Sequence, residues 1–279
     1  MLTKHSPPMS TMHPIVSKLI PPRVSLAVLA WPIAASVSLA ASALADDYVV
    51  NAEHATGRTL VLAGDSTLDE HGGDESTYGS WGSNLRPYLL SGNSIVNYGR
   101  SGRSTSSFIR EGWWNRVLEA AGVGDFVLVQ FGHNDQKLDN ETVATPIPQY
   151  KTNLVEMAAA VRAKGATPVF ATPIVRLNYA GGRISDSRLD EWAAAMREVA
   201  TDEGVDLVDM RELTRQIANG AGEAEALTWY VDGDRTHPAP KGARLYGGLF
   251  FDDVLSRGLS VAALFSAHAA SGEDDHPVP

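Results

Sequence analysis

Short runs of apolar residues recur along the chain, and longer amphipathic stretches separate them. The runs are continuously apolar rather than alternating, which is typical of strands that are covered on both faces in a parallel sheet. The clearest is the segment 125–131, with the sequence DFVLVQF. Strands are predicted at residues 59–63, 94–97, 125–131, 167–171 and 205–208.

The separating stretches carry apolar residues at helical spacing. Helices are predicted at about residues 81–90, 113–121, 149–164, 187–203 and 239–259. Gly165 and Gly204 follow two of them, where glycine commonly ends a helix with a left-handed backbone. The alternation predicts an α/β fold with right-handed crossovers: a flavodoxin-like, three-layer α/β/α sandwich around a five-stranded parallel sheet.

The first 45 residues have the pattern of an export signal. Residues 1–23 contain two lysines and one arginine but no acidic residue, and the uncharged segment 24–45 follows. Ala43 and Ala45 form the small-x-small motif that precedes signal-peptide cleavage. We therefore expect residues 1–45 to be cleaved and the protein to be exported, either to the periplasm or into the medium.

The remaining chain has the length of one domain. Residues 46–270 suffice for a single sizeable core, and the acidic, proline-containing segment 271–279 is expected to be a disordered tail. Two alternatives concern the N-terminus: an uncleaved anchor, and a translation start at Met9 or Met12.

Composition excludes several kinds of chemistry. The sequence has no cysteine, so disulfides, zinc–thiolate sites and cysteine nucleophiles are ruled out. The formal net charge is −10 at pH 7, and cleavage after residue 45 would make it more negative. The chain also lacks a basic stripe interleaved with aromatic residues. We therefore expect no nucleic-acid partner, no stable membrane association after cleavage, and a monomer.

Three polar loops follow predicted strands, and a fourth precedes the last predicted helix. They are the segments 64–67 (GDST), 97–104 (NYGRSGRS), 132–135 (GHND) and 232–238 (DGDRTHP). Parallel strands bring their carboxyl ends to one edge of the sheet, so the first three loops are expected to lie together. A serine at that edge, Ser66, needs a base to take its proton, and His237 is the candidate. A carboxylate would orient the imidazole, and the same loop offers Asp234 and Asp232 as candidates.

These blocks resemble, in their order, those of the GDSL-type esterases of the SGNH hydrolase superfamily, and the rhamnogalacturonan acetylesterases in particular. The motifs are GDS at 64–66, GRS at 102–104, QFGHND at 130–135 and DRTH at 234–237. The resemblance, which covers about residues 59–254, implies a Ser66–His237–Asp234 triad. It also implies an oxyanion hole made by the N–H groups of Ser66 and Gly102 and the side-chain amide of Asn134. It implies no metal and no cofactor.

The expected activity is that of a serine esterase that removes acetyl groups from plant cell-wall carbohydrate through an acetyl-enzyme. Rhamnogalacturonan or pectin is the polysaccharide that the resemblance implies. Alternatives are a GDSL-type lipase, lysophospholipase or thioesterase, and an acetylxylan esterase. A non-catalytic, flavodoxin-like glycan-binding module, in which Ser66 caps a helix, is a further alternative.

Other residues of these loops have two interpretations. Asp65 and Asp135 are expected to hold loops by hydrogen bonds, whereas His133 either lines the acetyl pocket or satisfies a buried partner. The rival metallohydrolase hypothesis takes its ligands from His133, Asp135, Asp234 and His237. Asn134 also suits a turn without any catalytic role.

Two sets of residues are candidates for binding sugar. Four arginines are candidates for the rim of the groove: Arg100, Arg103, Arg110 and Arg176. Of these, Arg103 is expected to pair with a carboxylate instead. Four tryptophans either stack on sugar rings or belong to the core: Trp81, Trp113, Trp114 and Trp229.

Overall fold

The computed structural model describes residues 57–71, 77–185 and 187–266. The predicted signal peptide, 1–45, and the predicted tail, 271–279, lie outside these residues. The strands are β1 (Thr59–Gly64), β2 (Ser94–Asn97), β3 (Phe126–Gln130), β4 (Thr167–Ala171), β5 (Tyr179–Ala180), β6 (Arg183–Ile184) and β7 (Asp206–Val208). All five predicted strands are present, and β5 and β6 form an additional short antiparallel hairpin.

The five main strands form one parallel sheet in the order β2-β1-β3-β4-β7. The chain moves from β1 to one neighbour, β2, and then crosses to the other neighbour, β3. This reversal of strand order opens a crevice beyond the carboxyl ends of β1 and β3, which is where ligands bind in open α/β sheets. The predicted parallel sheet is confirmed.

Helices cover both faces of the sheet. They are α1 (Thr105–Arg110), α2 (Trp113–Ala120), α3 (Ile147–Ala163), α4 (Leu189–Glu203), α5 (Met210–Ala221), α6 (Glu223–Leu227) and α7 (Pro240–Arg257). Side chains alternate across a strand, so Leu60 and Leu62 of β1 pack in one core while Val61 and Ala63 pack in the other. The first core includes side chains of α5 and α7, and the second includes side chains of α1 to α4. The three-layer prediction is confirmed.

The predicted helix at 81–90 is a 3₁₀ helix, Ser83–Tyr88. Pro87 lies inside it and has no N–H to donate, which limits a regular α-helix there. The helix α5 was not predicted from the apolar pattern. Its buried residues include the polar Arg211 and Thr214, so its buried face is hard to recognise in the sequence.

Two predicted helix ends have the expected backbone. Gly165, after α3, has φ of 73°, and Gly204, after α4, has φ of 59°. Both values lie in the left-handed region that favours glycine. Within the part of the chain that the structure describes, no helix combines the length and apolar character that a membrane crossing requires.

Candidate active site

The candidate residues meet beyond the carboxyl edge of the sheet. Ser66 follows β1, Gly102 follows β2 and Asn134 follows β3, while the loop before α7 supplies Asp234 and His237. Segments far apart in sequence are thus brought together by the parallel arrangement of the strands.

Ser66, His237 and Asp234 form a continuous hydrogen-bonded row. The Nε2 of His237 lies 2.8 Å from Ser66 Oγ, and its Nδ1 lies 2.6 Å from Asp234 Oδ2. The other carboxylate oxygen of Asp234 accepts the backbone N–H groups of Thr236 and His237. Burial raises the pKa of Asp234, but the hydrogen bonds from His237 and Thr236 outweigh it and lower this pKa overall. Asp234 is therefore a carboxylate at neutral pH.

Asp234 rather than Asp232 holds the imidazole. Asp232 is exposed, and the bond to His237 Nδ1 comes from Asp234. The structure does not support the interpretation of Ser66 as a helix cap, because residues 66–68 form a turn and residues 69–70 have no regular structure. The side-chain hydroxyl of Ser66 is bonded to His237 instead.

A buried carboxylate organises the turn that carries Ser66. Asp65 is fully buried, and its Oδ1 accepts the backbone N–H of Thr67 at 3.0 Å. Its Oδ2 lies 3.2 Å from Nδ1 of His133, which joins the turn after β1 to the loop after β3. Burial raises the pKa of Asp65, but His133 and the hydrogen bonds from Thr67 outweigh it, so this pKa lies below its usual value.

His133 satisfies buried partners. Its Nε2 lies 3.1 Å from the carbonyl oxygen of Ile174, which only accepts, so this nitrogen carries a proton. Its other nitrogen faces Asp65, and the side chain is almost wholly buried. Of the two interpretations of His133, the structure supports the buried partner rather than the wall of an acetyl pocket.

Gly102 and Asn134 lie on neighbouring loops. Gly102 has φ of 78°, and a Cβ added there would meet nothing within 4 Å, so the left-handed backbone is what favours glycine. The Nδ2 of Asn134 donates to the carbonyl oxygen of Arg103 at 3.0 Å. An amide nitrogen has two hydrogens, so this contact leaves one for a further acceptor.

Asp69 is a positioning residue that the sequence analysis missed. Its Oδ2 accepts both the backbone N–H and the hydroxyl of Ser101, at 2.8 and 2.7 Å. Its Oδ1 accepts the N–H of His71. Asp69 thus ties the segment after Ser66 to the residue that precedes Gly102. Nothing in the sequence marks it apart from its closeness to Ser66.

Two aromatic side chains beside His237 were also missed. His71 has φ of 48°, which is uncommon for a residue with a Cβ, and its Nε2 lies 3.0 Å from the Ser66 carbonyl oxygen. Its ring stacks on Tyr78 with centroids 4.6 Å apart, and Tyr78 meets His237 edge-on at 5.8 Å. Both rings therefore pack beside the imidazole of His237. A left-handed histidine has no sequence signature, so only the tertiary structure identifies it.

The four residues of the metallohydrolase hypothesis are engaged separately. His133 bonds to Asp65 and Ile174, whereas His237 bonds to Ser66 and Asp234. Among residues 57–71, 77–185 and 187–266, no group of three or more histidine or acidic side chains is arranged to hold a metal ion.

The proposed sugar-binding residues have different surroundings. Arg103 donates to the carboxylate of Glu111 at 2.8 Å, as expected. Arg100 lies over the ring of Trp113, and Arg110 donates to the carbonyl of Thr142. Three of the four tryptophans are buried in the core: Trp81, Trp114 and Trp229.

Asp135 is a second buried carboxylate, on the loop after β3. Its Oδ1 accepts the N–H and the hydroxyl of Thr105 at 2.9 and 2.6 Å, so it holds loops together as expected. Its Oδ2 is buried without a hydrogen bond to any described residue. Burial, opposed by the bonds from Thr105, raises the pKa of Asp135 to about 7.

Fold and site together define a class of protein. A row of serine, histidine and aspartate beyond the carboxyl edge of a parallel α/β sheet is the arrangement of serine hydrolases, which are recognised by geometry rather than by sequence position. Comparison with known proteins identifies the family. The GDSL-like Lipase/Acylhydrolase family matches residues 62–245, and the chain belongs to this family.

Named relatives agree with this assignment. The chain is 32% identical over 205 residues to Bacillus subtilis YesY, named "Probable rhamnogalacturonan acetylesterase", with 72% of this chain and 94% of YesY covered. It is 32% identical over 214 residues to the rhamnogalacturonan acetylesterase RhgT of the same organism, with 72% and 90% covered. The expected family and the expected class, a hydrolase of ester bonds, are confirmed.

A solved structure also shares the fold. The crystal structure of the Bacillus subtilis protein YxiM superposes with a TM-score of 0.67 at 26% identity. The match covers 74% of this chain and 58% of YxiM, so this chain spans less than two thirds of that protein.

The raised pKa of Asp135 predicts a specific pH dependence of stability. A carboxyl group whose pKa is higher in the folded than in the unfolded state stabilises the fold at low pH, and this contribution is lost as pH rises from about 4 to about 7. Asp135→Asn keeps an oxygen for Thr105 and removes this titration. We expect its free energy of unfolding, relative to the parent protein, to improve between pH 4.5 and pH 8 by about 3 kcal/mol, since about 2.5 pKa units lie between pH 4.5 and the pKa of about 7 and each unit corresponds to about 1.4 kcal/mol.

Urea unfolding of both proteins at the two pH values measures this difference. Asp202→Asn is the control, because Asp202 is exposed on α4. An Asp135→Asn difference that is the same at both pH values, as expected for the control, would contradict the prediction.

The hydrogen bonds of Asp69 predict a role in activity. Asp69→Ala removes the acceptor for the N–H and the hydroxyl of Ser101, which directly precedes Gly102. The loop that carries Gly102 then loses its tether to the Ser66 turn. Small misplacements of reacting groups cost up to about 100-fold in rate. We expect kcat on an aryl acetate to fall by about 10- to 100-fold with little change in KM. Asp202→Ala should retain full activity. Unchanged kcat in a folded Asp69→Ala protein would show that this tether is not needed.

Proposed function

We propose that this esterase removes acetyl groups from plant cell-wall carbohydrate, with acetylated rhamnogalacturonan as its substrate. The observation that carries the mechanism is the hydrogen-bonded row of Ser66, His237 and Asp234, with distances of 2.8 and 2.6 Å. The carbohydrate assignment is supported by the names of YesY and RhgT, the relatives at 32% identity.

In this proposal Ser66 is the nucleophile. Its Oγ attacks the acetyl carbonyl carbon while its proton passes to Nε2 of His237. The bond between the carbonyl carbon and the sugar oxygen then breaks, and Nε2 returns the proton to the leaving alcohol. Water, deprotonated by the same nitrogen, then attacks the carbonyl carbon of the acetyl-enzyme. The bond from this carbon to Ser66 Oγ breaks, Oγ takes the proton back from Nε2, and acetate leaves. Asp234, held as a carboxylate, orients the ring and stabilises the imidazolium.

The oxyanion of each tetrahedral intermediate needs preorganised donors. We assign these to the backbone N–H groups of Ser66 and Gly102 and to the Nδ2 of Asn134. The contact between Asn134 Nδ2 and the Arg103 carbonyl supports this assignment, because it holds the amide against the loop that contains Gly102. No step of this mechanism requires a metal or a cofactor.

Export and a monomeric state belong to the same proposal. The charged and then apolar pattern of residues 1–45, with the Ala43-x-Ala45 motif, supports cleavage and export. An exported enzyme would meet a polymeric substrate that does not enter the cell.

Ser66→Ala tests the nucleophile. We expect acetate release from acetylated rhamnogalacturonan and from an aryl acetate to fall by a factor of about 10⁴ to 10⁶, since removal of a triad serine abolishes covalent catalysis. Ser256→Ala is the matched control, because Ser256 is exposed at the end of α7. Substantial activity in Ser66→Ala would refute the mechanism. Wild-type activity on the aryl acetate alone would refute the carbohydrate assignment but not the mechanism.

Asp234→Asn tests the carboxylate, with Asp232→Asn as its control in the same loop. The amide keeps the shape of Asp234 but does not accept the Nδ1 proton in the same way, so the imidazole loses its required tautomer. We expect kcat to fall by about 10⁴-fold for Asp234→Asn, and to change by less than about twofold for the exposed Asp232. The reverse ranking of the two variants would reassign the acid.

A further inference from the structure

A cavity of about 410 Å³ lies beside the candidate active site. Its volume is in the usual range of ligand pockets. Three of its lining side chains are cations (Lys137, Arg176 and Arg188), and one is a carboxylate, Asp139. A protein of net charge −10 thus concentrates positive charge at this place.

Two of these cations contact the active-site loops directly. The Nζ of Lys137 donates to Oδ1 of Asn134 at 2.7 Å. One terminal nitrogen of Arg176 donates to the hydroxyl of Thr236 at 3.0 Å, and Thr236 directly precedes His237. The cavity therefore borders the site where the loop after β3 meets the loop before α7. A polymer whose acetyl group is at Ser66 has room here for a neighbouring sugar.

The cations of the cavity keep donors for a ligand. None of these three cations makes an ion pair with a carboxylate of the described residues. This holds also for Asp139, which lines the same cavity. The second terminal nitrogen of Arg176 donates to the carbonyl of His133 at 3.1 Å. Each terminal nitrogen has two hydrogens, so one hydrogen on each is left over.

Arg176 is the central cation of this set. Its side chain is partly buried, and burial lowers its pKa. A cation withdrawn from water is normally compensated by a carboxylate in direct contact. The described residues that Arg176 contacts supply only hydroxyl and carbonyl oxygens, and its Nε is buried without a partner among them. The carboxylates of Asp65 and Asp234 act on it only from a greater distance. A ligand anion would complete the site, and a guanidinium suits a planar carboxylate better than an ammonium does.

From these contacts we propose that the cavity is a subsite for the carboxylate of a uronic acid residue next to the acetylated position. Lys137 and Arg188 lie at its exposed rim, and Arg176 binds the carboxylate within it. The subsite selects acidic over neutral acetylated glycans. This inference rests on the proposed carbohydrate esterase function and adds the group that determines its specificity.

Two neutralising variants test the subsite: Arg176→Gln and Arg188→Gln. On acetylated rhamnogalacturonan we expect kcat/KM to fall at least about tenfold in each, mainly through KM, because a charged partner is lost. On an acetylated xylo-oligosaccharide without uronic acid and on an aryl acetate, kcat/KM of Arg188→Gln should stay within about twofold. Arg176→Gln also loses the hydrogen bonds to Thr236 and His133, so its expected result is a loss on rhamnogalacturonan at least about tenfold larger than its loss on these two neutral substrates. Arg183→Gln removes an equal charge at an exposed position of β6 and is the matched control.

Equal losses on all three substrates would overturn the subsite, because the variants would then act through His237 or Asn134 rather than through a carboxylate. Unchanged values on rhamnogalacturonan would overturn it as well. Arg188 is exposed, so its variant tests the proposal even if Arg176→Gln fails to fold. Wild-type protein without esterase activity would instead refute the proposed function.

Inhibition of aryl acetate turnover distinguishes a uronic acid from any anion. We expect galacturonic acid to inhibit the wild-type enzyme, xylose and inorganic phosphate to be at least tenfold weaker, and Arg176→Gln to lose the inhibition by galacturonic acid. Phosphate as effective as galacturonic acid would overturn the assignment to a uronic acid.

Discussion

The buried carboxylate of Asp65 is the constraint on which the site depends. A charge without solvent must be matched by donors. The backbone N–H and the hydroxyl of Thr67 donate to one carboxylate oxygen of Asp65, and the side-chain amide of Gln130, at the end of β3, donates to the other. Nδ1 of His133, on the loop after β3, lies 3.2 Å from that second oxygen. The geometry of the Ser66 turn is thereby fixed to the neighbouring strand. His133 transmits the constraint to Ile174, in the loop after β4, so three strand ends are joined by one chain of polar contacts.

A second carboxylate fixes the other side of the site. Asp69 joins the Ser66 turn to Ser101, and Asn134 in turn contacts the Arg103 carbonyl. The groups to which we assign oxyanion binding therefore belong to loops that are bonded to one another. Preorganisation of this kind is what makes donors effective, because they need not reorient when charge develops.

The fold was largely predictable because its signals are local. Continuous apolar runs gave β1 to β4 and β7, and glycines gave the ends of α3 and α4. Prediction failed where tertiary contacts decide conformation. The helix α5 buries Arg211, which pairs with Asp190 on α4, and no apolar periodicity reveals such a contact. Likewise, residues 83–88 contain a proline and wind as a 3₁₀ helix.

For the site, the residue types and their order could be read from the chain: a serine after the first strand, a glycine loop, an asparagine and an Asp-x-x-His segment. These were identifiable because each chemical role requires a particular functional group. The three-dimensional arrangement was needed to show which carboxylate contacts His237 and that His133 is buried against Asp65. It also revealed Asp69, His71 and Tyr78 beside the candidate triad. It also placed Arg176 in a cationic cavity beside Thr236. Such facts depend on distances between loops from different strands, and those distances are set by the packing of the whole sheet.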